Sequence, residues 1–360
     1  MAISIQEHSQ NITSKIVGRF EEDIPVRAGF NGFFPEETSP TLHVDVEVQR
    51  DLDLIAVDVE RFTEGNKNKR SKVTEKKYQP PYFKEDYDFS RDDIYVNSLA
   101  LGAFNTPNSN RAIAQNALTA VRKNRSKVER AIRKQQADVL QTGIVSLENG
   151  DNIDFKRKAA SIVDLGGGST YWSSSLSAKP FDDLSEAMTF LRDVGNSNGS
   201  TINVVMRTPA LNAFLATTQV RNEGDIRRID RISIDMPQFS EATGLAFHGQ
   251  MAAGDFVVNL WTYNEKYTDS DGNTQYYLDS KNVVILPDDF MGKTVFGGLP
   301  TLRDQNIGGE VVRVPAVVEA NYLIRSYSDE RTTSSVIELS SAPLVIPFTI
   351  DKIYTMQVLA

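Results

Sequence analysis

Residues 109–142 read SNRAIAQNALTAVRKNRSKVERAIRKQQADVLQT, with no glycine or proline anywhere between Asn108 and Gly143. Ile113, Ala117, Val121, Val128, Ile132 and Val139 recur at spacings of mainly three, four or seven, the period of one helical face. Asn108 or Ser109 can cap the start, and Gly143 supplies the stop. At about 1.5 Å per residue the helix is expected to run roughly 50 Å. Its outer face is basic, with Arg111, Arg122, Lys123, Arg125, Lys127, Arg130, Arg133 and Lys134 set against Glu129 and Asp138. No second helix and turn accompany it, so it does not make a compact DNA-reading motif.

Upstream of the helix the chain reads as extended. Gly29–Pro40, GFNGFFPEETSP, sets Phe30, Phe33 and Phe34 among glycines and prolines, which suggests an arm whose rings bury in their own body or in a neighbouring subunit. From 41 to 62 the pattern alternates: Leu42, Val44, Val46 and Val48 face one way, His43, Asp45 and Glu47 the other. A second alternating run holds Ile55, Val57 and Val59. The stretch before the tip is acidic, with Asp45, Glu47, Asp58 and Glu60 among its carboxylates. A basic tip follows, carrying Lys67, Lys69, Arg70, Lys72, Lys76 and Lys77. Two readings stand: a solvated hairpin, or an arm whose basic tip lies on an acidic surface of another copy.

Downstream, the elements mix. GIVSLENGDNIDFKR carries a hairpin signal at Asn149-Gly150. Phe181–Val194 and TPALNAFLATTQV read as helices, and Thr201–Arg207 as a buried strand. Residues 255–290 read as a hairpin turning near Asp271-Gly272, and the last hundred residues are strand-like. This order is α+β rather than a regular βαβ alternation.

Several chemistries find no support. The 360-residue chain has no cysteine, which excludes disulfides and thiolate sites, and His8, His43 and His248 are far apart. The paired carboxylates Asp182-Asp183 and Asp288-Asp289 suit a helix start and a turn better than acid–base or Mg²⁺ chemistry. Asp269, Asp271 and Asn273 imitate the start of a calcium loop, but the distant acidic residue is missing. No catalytic residue, cofactor site or metal site is expected. The net charge of −9 argues against non-specific adhesion of the whole surface to DNA or anionic membrane. There is no secretory leader pattern and no membrane-spanning run, so synthesis in the cytoplasm without an anchor is expected.

Asp164–Thr170, DLGGGST, resembles the phosphate-binding string of actin-like ATPases. That fold needs two related halves, and residues 1–150 offer no first half. A structural turn packed against Trp172 is the expected reading.

Glu338–Ala360, ELSSAPLVIPFTIDKIYTMQVLA, resembles the end of the lambda-type major capsid proteins of tailed phages, through Ser341-Ala342-Pro343-Leu344 and Gln357-Val358-Leu359-Ala360. Ile285–Asp304 and Ile153–Ser173 resemble further segments of that family in order. The resemblance implies an HK97-type α+β fold: an N-terminal arm (1–44), an extended two-stranded loop (45–90), a peripheral domain (91–200 and 321–360) holding the spine helix 109–142, and an axial domain (201–320). It further implies a non-enzymatic shell protein that assembles with itself into hexamers and pentamers in the host cytoplasm. Scaffold, portal and decoration proteins are the implied partners, with packaged DNA touched only non-specifically. An encapsulin-like compartment and a tail tube are the alternatives. The candidate contacts between subunits are Phe33, Phe34, Asp45, Glu47, Asp58, Glu60, Lys67, Lys69, Arg70, Lys72, Lys76 and Lys77.

Overall fold

A computed structural model describes residues 26–49, 73–89, 109–147, 152–167, 170–224, 232–253, 256–307, 310–329 and 334–360. In chain order, β1 (Glu36–Thr38) is followed by the loop strands β2 (Val44–Gln49) and β3 (Val73–Tyr78), then β4 (Phe83–Phe89). The long helix α1 spans Ser109–Thr142. Next come β5 (Ile144–Ser146), β6 (Asn152–Asp154), β7 (Ile162–Asp164), α2 (Pro180–Asp193), β8 (Thr201–Met206), α3 (Thr208–Ala216) and α4 (Thr218–Gly224). The rest is β: β9 (Ile232–Phe239), β10 (Leu245–Ala253), β11 (Phe256–Tyr263), β12 (Lys266–Thr268), β13 (Thr274–Tyr276), β14 (Asn282–Pro287), β15 (Gly292–Phe296), β16 (Leu299–Ile307), β17 (Glu310–Val318), β18 (Leu323–Asp329), β19 (Ser334–Ser341), β20 (Pro343–Pro347) and β21 (Tyr354–Gln357).

A seven-stranded sheet, ordered β7-β21-β14-β8-β11-β10-β9, forms the middle layer. Its strands alternate between two cores, as a period of two requires. Val283 and Ile285 of β14 enter the core built with α2 and α3, where Trp172, Phe181 and Phe214 are buried. Val284 and Leu286 enter the other core, with Val128, Ile132 and Leu140 of α1 and the three-stranded sheet β1-β15-β20. Helix α1 therefore lies across the protein with its final turns buried nearly all round, and Gly143 ends it at φ +75°.

Several expectations need correction. Helix α1 buries Arg133, which the sequence puts on the basic outer face. Leu42 precedes β2 and is 47% exposed, whereas Val44, the first residue of β2, is buried. The segment 255–290 is a hairpin only locally, β12 with β13; β11 and β14 are separated by β8, which pairs with both. TPALNAFLATTQV breaks into two helices at Thr217, whose backbone is extended (φ −68°, ψ 145°) and whose hydroxyl donates to the Phe214 carbonyl at 2.7 Å. The seven-stranded sheet also joins β21 and β7 to β14, so it crosses the boundaries expected at 200 and 320.

Candidate assembly site

The extended loop leaves the body as an antiparallel pair, β2 with β3, and returns into β4. Strand β4 pairs with β19, which fastens the loop's return to the body. At this root Glu338 is buried beside Lys84 at 3.0 Å and accepts from the Ser340 hydroxyl at 3.0 Å. Burial raises the Glu338 pKa, but the Lys84 ammonium and the Ser340 hydroxyl outweigh it and hold the carboxyl below its ordinary value. From helix α1, Lys127 reaches Glu85 at 2.7 Å and the Asn124 amide donates to the Glu85 carbonyl at 3.0 Å.

The candidate contact residues fall into three groups. Lys67, Lys69, Arg70, Lys72, Asp58 and Glu60 lie outside the described residues. In the loop's stem, Asp45 is directly opposite Lys77, Val46 opposite Lys76 and Glu47 opposite Glu75. Directly opposed residues share a sheet face, so positions 45 and 77 lie on one face of the stem. The arm phenylalanines need the plainest correction. Phe34 is wholly buried in its own chain, edge-on to Phe290 at 5.6 Å, and Phe33 packs partly buried against the same core. A side chain with no exposed surface has none to offer a neighbour, so Phe34 leaves the set.

The side chains that hold the assembly elements in place are mostly polar, and the hydrophobic pattern does not reveal them. Gln136 donates to Asn31 of the arm at 3.0 Å and to Thr294 of β15 at 3.3 Å. Gln135 accepts from the Val345 N–H at 3.3 Å. Gln141 accepts from the Asp279 N–H at 2.9 Å and donates to the Tyr277 carbonyl at 3.0 Å. Arg133 donates to the Arg27 carbonyl at 3.0 Å and also to Asn31. These bonds satisfy groups that burial would otherwise leave costly.

Arg157 is the densest node. Its guanidinium donates to the Leu140 and Gln141 carbonyls at the end of α1 (3.0 and 3.3 Å), to the Ser161 carbonyl and hydroxyl (2.9 and 2.8 Å), and to the Ile353 carbonyl and Thr355 hydroxyl (both 3.0 Å). It thus caps the helix C-terminus and ties it to β21. Burial pushes its pKa down to about 9, which leaves it charged at neutral pH. Gly143 makes room: a Cβ there would stand 2.7 Å from the Arg157 Cβ. Only the helix-ending glycine gives a sequence signal for this site.

The carboxylate pairs have structural duties. Asp183 accepts from the Trp172 indole at 2.9 Å, and Asp288 from the Asn203 amide at 3.0 Å. Asp289 accepts from the Ser197 hydroxyl at 2.9 Å, the Asn198 N–H at 3.2 Å and Lys352. Burial pushes the Asp289 carboxyl up, but Lys352, Ser197 and Asn198 together hold it below its ordinary value. A carboxylate with a depressed folded pKa stabilises above its unfolded pKa, and that stability is lost as pH falls through the folded value. Asp289→Asn should therefore destabilise by about 1 kcal/mol at pH 7, the scale of a partly exposed charge-assisted bond. Urea midpoints at pH 7, 5 and 3 should converge with those of the parent at the acid end; a constant difference refutes the assignment.

The glycine loop is closed upon itself. Asp164 accepts from the Gly166 N–H at 3.0 Å and from the Tyr171 hydroxyl at 2.8 Å. The Tyr171 hydroxyl would lie 2.4 Å from a Cβ at Gly166, so a ring packs where the glycine leaves space. Among the described residues, no group of three or more His, Asp or Glu could hold a metal ion, and no helix is long and apolar enough to cross a membrane.

A family model described as phage major capsid protein E matches residues 21–358. No curated protein matches the chain. Among solved structures, the chain is similar to a prophage protein of Escherichia coli CFT073 assigned as a capsid protein, at 18% identity and a TM-score of 0.60, with 100% of each chain covered. It is also similar to the capsid of cyanophage A-1(L), at 14% identity and TM-score 0.46, with 94% of this chain and 95% of that one covered. The SrpI encapsulin of Synechococcus elongatus PCC 7942 gives 11% identity and TM-score 0.44, covering 100% and 96%.

Proposed function

Because this chain belongs to the phage major capsid protein E family and has the HK97-type α+β capsid fold, we propose that it assembles into hexamers and pentamers through its extended loop. The family match along residues 21–358 carries this reading. The paired stem β2–β3, anchored through β4 and α1, supports it physically: an isolated two-stranded hairpin is marginal in water and gains most by lying on another surface. Many copies of one weak interface then give avidity beyond any single contact.

In this proposal the work is assembly and not catalysis. The shell forms in the host cytoplasm, around a scaffold and a portal, with a decoration protein as a further partner. Packaged DNA is touched without sequence preference. The arm (1–44), extended loop (45–90), peripheral part and axial part keep their proposed roles. The sheet continuity from β14 to β21 and β7 favours moving those two strands to the axial part.

The loop's reach is testable. Lys67→Glu, Lys69→Glu, Arg70→Glu and Lys72→Glu together should cut the yield of particles at least tenfold and leave the subunit's melting temperature unchanged. Lys77 is left in place because Asp45 opposes it within the stem. Light scattering with negative-stain imaging of the same sample reads the outcome. Shells in normal yield refute the contact; a chain that forms no shells, tubes or rings even with scaffold refutes the assembly reading itself.

A further inference from the structure

Strands β16 and β17, nine residues each, form a ribbon that pairs with no third strand among the described residues. Its two faces differ. Leu299 is buried, and Thr301, Val314, Ala316 and Val318 are half-buried, so this face lies against the body. The other face is open. There Pro300 stands opposite Val317 and Leu302 opposite Pro315, and all four are exposed, Leu302 at 63%. Four apolar side chains in adjacent rows make a patch, unlike single apolar residues scattered over a surface.

The edges of the ribbon do not invite a further strand. A proline has no N–H to give across the ladder, so Pro300 and Pro315 turn their nitrogens outward. Each outer edge thus lacks a donor, and the Pro300 carbonyl accepts from Arg325 at 2.8 Å. Edges blunted in this way resist side-by-side pairing. What remains for a partner is the open face.

That face is complementary to itself. Along β17 and one step past it, the alternation reads Arg313, Pro315, Val317 and Glu319, every one exposed. A cation stands at one end and a carboxylate at the other, about 20 Å apart at roughly 3.3 Å per residue, with apolar groups between. A two-fold axis between Pro315 and Val317 sets the second copy's Glu319 beside Arg313 and the second copy's Arg313 beside Glu319. The same turn lays Pro315 on the second copy's Val317. Two copies laid in the same direction would instead set like charges together. One Glu319 oxygen accepts from the Thr38 hydroxyl at 2.7 Å, and a carboxylate takes more than one donor.

We propose that the open face of the β16–β17 ribbon is an isologous contact with the same face of a second copy, held by two Arg313–Glu319 pairs around an apolar centre. The inference rests on the assembly reading and adds a contact to it. Hexamers and pentamers close through head-to-tail contacts, so a two-fold contact joins subunits of different rings.

Charge reversal tests the contact, because Arg313 and Glu319 of one chain are too far apart to pair with each other. Arg313→Glu and Glu319→Arg are made singly in the full-length chain, produced with its scaffold. Each should cut the yield of closed shells at least tenfold and leave the rings and the subunit's melting temperature unchanged. Combined in one chain, the reversals restore opposite charges across the axis and should bring the yield back to within threefold of the parent. Leu302→Asp puts a charge into the apolar centre and should act like a single reversal. Sedimentation with negative-stain imaging separates shells from rings. A normal yield of shells from the single reversals or from Leu302→Asp, or a double variant no better than either single, would overturn the two-fold contact and leave the assembly reading standing. A parent chain that forms neither rings nor shells would overturn both.

Discussion

Arg157→Ala is expected to lower the stability of the unassembled subunit by about 3–5 kcal/mol, the range for removing one partner from a buried charged network. The loss comes from what stays behind. The Leu140, Gln141, Ser161 and Ile353 carbonyls would each lose a charged donor in a place that water does not reach freely. Arg157→Lys should recover little, because a single ammonium cannot address the helix end, the 161 turn and β21 at once. Urea unfolding followed by circular dichroism measures both variants. A loss under about 1 kcal/mol for the alanine variant would mean that the helix end and β21 hold each other without the guanidinium.

Phe34→Ala should cost a similar amount, about 3–5 kcal/mol, as for other buried phenylalanines. The decisive point is where the loss appears. Phe34 is buried within its own chain, so dilute, unassembled subunits must show the full effect. A ring packed against a neighbour would show it only in particles. A second substitution sharpens the test: a Cβ at Gly292 would stand 2.4 Å from the Phe34 ring, so Gly292→Ala alone should also destabilise. In the double variant the smaller residue at 34 relieves that clash, and the combined loss should fall short of the sum. Strict additivity would show that the two positions do not share this contact.

The sequence shows the frame more readily than the joints. Helix α1 is legible because its apolar period is uninterrupted and Gly143 stops it, and the structure ends the helix there at φ +75°. The first strand of the loop's stem, β2, and the Asp271-Gly272 turn follow from local alternation and turn chemistry, whereas β3 lies in the run read as the basic tip, so Lys76 and Lys77 belong to the stem. What stayed hidden is non-local. Arg133 sits in a charged run and reads as solvated, yet the arm folds over it and uses it as a donor. Gln135, Gln136 and Gln141 carry no periodic signal, because amide side chains suit both water and a buried carbonyl. Phe34 could have gone to either surface, and its place is set by non-local neighbours, Phe290 and the close approach of Gly292. The separation of β11 from β14 by β8 is likewise invisible locally, since β8 is contributed from some fifty residues earlier in the chain.

The place of β21 in its sheet bears on the order of events during synthesis. It lies between β7, made nearly two hundred residues earlier, and β14, and it is bonded to both. Until residues 354–357 have been translated, β7 has no partner in this sheet and β14 is paired on one side only. Arg157 likewise waits for Ile353 and Thr355 before its donors are filled. A nascent chain therefore cannot close its central layer early, and a subunit competent to meet others is one whose translation has passed that strand.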